Sequence, residues 1–319
     1  PIPVVPGDPD EPADPSAYIP AQAGVDSAAM TPLDLTPYFA DPDMGDTITL
    51  TIDASDLPAG LTFDGTVISG TPDADASQGG MNGVYTIPVT ATDSLGEAFT
   101  TNVIFTVTNP APIAQDDAFN IGEDTPSIMG SILSDNGEGN DADPDGDILT
   151  VSHVNGAAAN VGAPIAGSQG GIFTVNPDGS YTFETNGEFE GLDVGESAVT
   201  EITYQISDGE GGVSTAAVTV TVMGANDAPI VVDPLNPNNP APVIPAQAGN
   251  DSQALAPFDV SDYFADPDVE VTFFDIEGEP DWMSIDPVTG VITGTPPLDA
   301  SQNGLNNGGT YRITIVAFD

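Results

Sequence analysis

The chain has 319 residues, room for two average domains or three small all-β ones. Its 50 acids stand against one Arg and no Lys, a formal charge of −49. That balance excludes a nucleic-acid binder and argues against docking on an anionic leaflet, because both need basic side chains. Without cysteine, disulfides and thiolate metal sites are excluded. No run of about 18 apolar residues is present to span a bilayer.

Disorder does not explain the acidity, since a hydrophobic fraction of 39% with regularly spaced aromatics is too rich for an acidic tail. The acids are 37 Asp and 13 Glu, and Asp favours turns and caps over helices. They sit beside Pro and Gly between apolar stretches, which places the carboxylates on the loop ends of a β protein.

The chain opens at Pro1 without a Met or a signal-like segment, as a piece of a longer protein would. A Pro-rich leader, PGDPDEPADP (6–15), is expected to be extended and polyproline-like. IPAQAG (19–24) follows, then YFADPD (38–43) and ISGTPDADASQ (68–78). In 84–93, Tyr85, Ile87, Val89 and Ala91 alternate with Thr86, Pro88, Thr90 and Thr92, the period of a strand with one buried face. Pro88 falls on the outward set and suits an edge strand. Val103, Phe105 and Val107 mark the last strand of this unit, and NPAP (109–112) is a stiff linker.

A different unit follows, with strand alternation at Ile202, Tyr204 and Ile206 and at Ala216, Val218, Val220 and Val222. After NDAP (226–229) and a second leader, PLNPNNPAP (234–242), the first unit recurs about 225 residues on: IPAQAG (244–249), YFADPD (263–268) and ITGTPPLDASQ (292–302). Tyr311, Ile313, Ile315 and Ala317 repeat the earlier strand, and Asp319 is equivalent to Asp93. The third unit thus lacks the counterpart of the strand at 98–108. A segment of a longer chain accounts for this; strand addition from another copy is the alternative.

These patterns predict an all-β chain of three tandem Ig-like or cadherin-like β-sandwiches at 1–109, 110–228 and 229–319, the last without its final strand. The outer units resemble Putative Ig and dystroglycan-type cadherin-like domains of bacterial surface proteins, through LPAGLTFDGTVISGTP (57–72), PDWMSIDPVTGVITGTP (280–296) and YRITIVAFD. The middle unit resembles the VCBS or bacterial cadherin-like repeat, through DPDGDILTV (143–151), NPDGSYTFE (176–184), ITYQISDGEGG (202–212) and VTVTVMGANDAP (218–229). The resemblance covers nearly the whole chain. It implies extender or binding modules of large secreted adhesins and of some polysaccharide-degrading enzymes, located outside the cell or on a bacterial surface.

It also implies Ca2+ at the junctions, held by a strand-end acid, the linker and acidic loops, with Asp266 and Asp268 matching the paired acids of the cadherin Asp-Ala-Asp element and Asp319 the single strand-end acid. Asp-rich loops can supply the six to eight oxygens this ion takes. At the second junction the candidates are Asn226, Asp227, Asp266, Asp268 and Asp319, with Glu123 too far back unless the middle unit folds it to that end. The middle unit offers Asp143, Asp145, Asp147 and Asp208, and the first unit Asp41, Asp43, Asp46 and Asp93. The first linker has Asn109 but no counterpart of Asp227, which makes that site poorer in charge; the third unit has Glu270 and no match to Asp46. The bland alternative is a set of solvated turn residues.

DADPDGDILTVS (141–152) fails as an EF-hand, because Ser152 stands where a bidentate Glu is needed. No nonapeptide calcium-roll array, GxSxG or P-loop is present. His153 is expected to be a solvent-facing strand residue and Trp282 a core plug. A non-enzymatic, calcium-braced extender is the leading expectation, its partners being neighbouring domains and copies of itself. Recognition of cell-surface glycans by the outer units is the alternative.

Overall fold

The computed structural model describes residues 1–5, 8–12, 19–43, 45–236, 243–268, 271–305 and 308–319. Its architecture is all-β. Among the described residues the helical turns are three-residue 3-10 segments, and no helix is long and apolar enough to cross a membrane. Hydrophobic side chains gather in three separate cores, spanning Ile19–Val107, Ile121–Val222 and Val260–Ile292.

In the first unit β1 (Ile2–Val5), β2 (Asp8–Pro12) and β5 (Phe39–Ala40) form a small sheet. Asp8–Pro12 of the first leader is therefore a paired strand, while 6–7, 13–15 and 237–242 of the two leaders, and Glu270, lie outside the described residues. One main sheet runs in the order β3 (Gln22–Val25), β10 (Ala98–Thr108), β9 (Val84–Thr92), β6 (Thr49–Thr51), with β3 parallel to β10. The other is β4 (Leu33–Asp34), β8 (Val67–Gly70), β7 (Leu61–Phe63). Ile87, Val89, Ala91, Val103 and Phe105 are fully buried between them, the inward set that the alternation predicts. β9 is central, not an edge. Pro88 is tolerated because β6 pairs only with Thr90–Thr92, so the ladder on that side has ended before the missing N–H would matter.

The middle unit pairs β11 (Asp117–Gly122), β18 (Val213–Met223), β17 (Ser197–Ser207) and β13 (Thr150–Val154) in one sheet. Facing it are β12 (Ser127–Ser131), β16 (Ser180–Glu184), β15 (Ile172–Val175) and β14 (Ile165–Ala166). Phe173 and Phe183 pack with centroids 4.7 Å apart and ring planes tilted by 52°, and both are fully buried. A register shift in β13 leaves His153 half-buried, its Nδ1 3.2 Å from the Ser152 hydroxyl.

In the third unit β19 (Ile230–Val231) pairs with β21 (Phe264–Ala265). β20 (Phe258–Asp259), β24 (Val291–Gly294) and β23 (Met283–Ile285) form one sheet, and β22 (Phe273–Glu277) with β25 (Thr314–Phe318) forms another. β22 and β25 correspond to β6 and β9. No described strand corresponds to β10, so Ile313, Ile315 and Ala317 are only half-buried. The counterpart of β3, residues 247–250, is exposed and unpaired because β10 is what β3 pairs with.

Candidate cation sites at the junctions

Each linker joins two clusters of carboxylates. At the first, β10 leads into Asn109, whose Nδ2 donates to Asp208 Oδ2 at 2.9 Å while its buried Oδ1 has no partner. The other oxygen of Asp208 accepts from the N–H groups of Glu210 and Gly212, closing the β17–β18 turn. Asp143 Oδ1 accepts the N–H of Asp145 at 3.0 Å, an Asx turn that frees its second oxygen for the junction. Asp143 Oδ2, both oxygens of Asp145 and Asp147 Oδ2 are buried and unpartnered.

Ligand oxygens of Asp143, Asp145 and Asp147 lie within 4.8 Å of one another, as do those of Asp75, Asp147 and Glu210, so Asp147 belongs to both groups. Asp75 and the nearby Asp26 come from the first sandwich. Asp26, nearly buried, accepts from Ser77 N, and Gln78 of the same loop donates to Glu210. Burial, followed by the close carboxylate and charge of Asp143 and the charge of Asp147, pushes Asp145 up to about 7. Burial and then Asp143, Asp208, Asp75 and Asp26 raise Asp147. With a single Arg in the chain, this crowding has no cationic side chain to balance it.

The second junction repeats the plan. Asn226 Nδ2 donates to the Asp319 carboxylate as Asn109 does to Asp208. Asp266 Oδ1 accepts Asp268 N at 3.0 Å, the Asx turn of Asp143 and Asp145 again, and Asp227 N donates to Asp268 Oδ2 at 2.6 Å. Asp227 Oδ2 and Asp268 Oδ1 are buried without a partner. Asp124, Glu190 and Asp227 lie within 4.8 Å of one another. Burial comes first in raising Asp227, then Asp268, Asp124 and Asp266; burial also leads for Glu190, followed by Asp227, Glu123, Asp124 and Asp268.

Glu123 is at this junction after all. β11 runs parallel to β18 with Gly122 opposite Met223, so the strand carries the chain the length of the sandwich and delivers Glu123 beside the exit to the linker. It is 1% exposed, its Oε1 accepts from Ala225 N, and its Oε2 has no partner. Nor is the first junction poor in charge: Asp147 and Glu210 supply there what Asp227 supplies at the second.

Sequence reasoning also missed Asp26, Asp75, Asp124, Glu190 and Glu210. The internal repeat held a signal for two of them, since Asp26 and Asp75 recur as Asp251 and Asp299, and Asp251 accepts from Ser301 N as Asp26 does from Ser77 N. At the start of the first unit the oxygens of Asp41, Asp43 and Asp46 also lie within 4.8 Å. There Asp43 N donates to Asp41, and Ser94 donates to Asp46. Asp93 Oδ1 is engaged by the N–H groups of Leu95 and Glu97 in its own turn.

The donor sets suit a hard divalent cation: carboxylate and amide oxygens, crowded, buried and short of hydrogens. Tandem β-sandwiches meeting at acidic junctions define the class of this chain. Residues 109–224 match the bacterial cadherin-like domain family and residues 15–109 the Putative Ig domain family. It is 32% identical over 132 residues to the calcium-binding lectin RapA2 of Rhizobium johnstonii, a match covering 39% of this chain and 52% of that one, about half the length of this curated relative. Among solved structures it is similar to Drosophila N-cadherin EC1-4 (16% identity, 94% and 72% of the two chains, TM-score 0.37) and mouse cadherin-23 EC22-24 (16%, 87% and 85%, 0.35). An endo-fucoidan hydrolase of glycoside hydrolase family 107 also matches (20%, 95% and 42%, 0.26). Superpositions this loose carry no functional weight.

Proposed function

We propose that the chain is a non-enzymatic extender: three sandwiches, at 1–109, 110–228 and 229–319, held in line by Ca2+ at their junctions, within a bacterial cell-surface adhesin or extracellular fibre. The observation that carries this reading is the set of buried, unpartnered oxygens at both linkers, with Asp75 of the first sandwich grouped with Asp147 and Glu210 at one and Glu123 of the middle sandwich joined by Asp268 of the third at the other. Bound there, the ion would neutralise carboxylates that otherwise repel. Glu123, Asn226, Asp227 and Asp268 would hold it at the second linker, and Asn109, Asp143, Asp145, Asp147 and Glu210 at the first. The RapA2 relative, a calcium-binding lectin by name, supports the ion assignment, as do the two domain families. Net negative charge along the length keeps such a rod extended and free of lateral sticking.

Small-angle scattering of the whole chain tests this. Excess chelator should shorten the maximum dimension and broaden the profile, and calcium should restore both, with a higher melting temperature. Asp147→Asn should weaken calcium binding at the first junction and leave the second intact. Identical profiles in calcium and chelator would overturn the proposal.

A further inference from the structure

The single tryptophan of the chain stands where the first sandwich has no side chain at all. LPAG (57–60) corresponds to EPDW (279–282), which sets Trp282 opposite Gly60. Gly60 has φ +86, and a Cβ there would lie 2.1 Å from the Thr71 carbonyl oxygen. The first sandwich closes its core without an indole, so the fold does not demand one at this position.

Nor does Trp282 plug the core, as its sequence context predicts. It is half-buried and stands apart from the cluster of Val260, Phe274, Ile276 and Ile292. The reason is its place in the turn before β23. Its ring meets Tyr311 edge-on, with centroids 5.4 Å apart and planes at 89°. Tyr311 is clamped in turn, its hydroxyl donating to Ala300 O at 3.1 Å. The backbone around the indole is fixed by Met283 N to Pro280 O (2.9 Å) and Thr295 N to Trp282 O (3.2 Å). The indole is therefore held rigidly beside an open depression of about 570 Å³ lined by Pro280, Asp281, Trp282, Thr295, Pro297 and Tyr311.

The lining combines flat apolar surface from two aromatics and two prolines with exposed oxygens from Asp281 and Thr295. A purely apolar ligand would strip water from Asp281 without replacing its hydrogen bonds. An anionic one would meet Asp281, no basic side chain in the depression, and a strongly negative chain. What fits both halves is a neutral pyranose, whose C–H face lies against an aromatic ring while its hydroxyls donate to the carboxylate and the threonine. We propose that Trp282, Tyr311, Asp281 and Thr295 form a binding platform for a neutral hexose unit of a glycan, independent of the cation sites.

Because Trp282 is the only tryptophan, its emission on selective excitation reports this one place in the intact chain. The probes are cellotriose, maltotriose, mannotriose and galactotriose, with a trigalacturonate as the anionic control. At least one neutral sugar should shift the emission saturably, with the same affinity in calcium and in chelator, and the uronate should not. Asp281→Ala should weaken binding by about tenfold, the worth of one hydrogen bond to a charged group, while the free protein keeps its emission and melting temperature. Trp282→Phe, which keeps an aromatic edge against Tyr311, should lose most of the binding heat in calorimetry. Absence of a saturable response to every neutral sugar up to about 10 mM, wild-type affinity in Asp281→Ala, or equal binding of the uronate would each overturn the assignment.

Discussion

Asp117 offers the sharpest test of how this acidic chain tolerates its own carboxylates. It begins β11 and is 2% exposed. Hydrogens are scarce around it. The Tyr204 hydroxyl, with one hydrogen, faces Gln115 O at 2.8 Å, Asp141 Oδ2 at 3.0 Å and Ile132 O at 3.3 Å. The Asn136 amide, with two, faces Asp117 Oδ1, Ser131 O and Ser134 O at 2.7–2.8 Å. Burial, reinforced by the charges of Asp141 and Asp116 and opposed by the Asn136 hydrogen bond and the nearby Tyr204 hydroxyl, pushes Asp117 up to about 6, and Tyr181 on the facing sheet feels its charge.

A carboxyl whose value rises on folding favours the protonated native state. Its contribution is fully present below about pH 4 and is lost as pH climbs through about 6. At about 1.4 kcal/mol per pH unit the rise is worth about 3 kcal/mol at most, and about 1–2 kcal/mol after interior screening. Asp117→Asn should therefore stabilise the middle sandwich by that amount above pH 7 and flatten its pH dependence between about 4 and 6. Hydrogen exchange of β17 and β18 amides across that range, in chelator so that the junctions do not contribute, reads the local stability. The same pH slope in variant and wild type, or a variant less stable above pH 7, would refute the reasoning.

Tyr204→Phe removes the one hydroxyl shared by these acceptors and should cost about 1–3 kcal/mol, seen as a lower melting temperature of the middle transition in calorimetry. Gly60→Ala forces a methyl to within 2.1 Å of the Thr71 carbonyl at φ +86 and should destabilise the first sandwich by about 1–3 kcal/mol, with the other transitions unmoved.

Local features of the fold were legible because strand alternation needs only neighbours: Ile87, Val89 and Ala91 declare a buried face wherever their strand ends up. Strand order was less so. Pro88 suggested an edge, and only the shortness of β6 explains how a central strand accommodates it. The junctions were half legible. Asp227 lies in the linker itself, and Asp143 and Asp268 stand out in Asp-Pro-Asp turns that the resemblance to cadherin-like repeats marks as junction acids. Glu123 and Glu190 reach the second linker only because strands span the sandwich from end to end, at about 3.3 Å per residue, and chain distance hides that. Trp282 misled for a related reason, since its strand-like surroundings resemble a core while its position is a turn.

The preponderance of Asp over Glu has a structural cause in the turns at Asp41, Asp143 and Asp266. In each, one carboxylate oxygen accepts the N–H two residues on, at 2.9–3.0 Å, which fixes the side chain. A glutamate is one methylene too long to close that ring, and it would also lose more rotamer freedom on being held. Glutamates appear where reach matters instead: Glu123, Glu190 and Glu210 extend from flanking positions towards the linkers. The preorganised aspartates set the geometry and the longer side chains complete it. The electrostatic cost of gathering them is borne by the same junctions whose separation would relieve it.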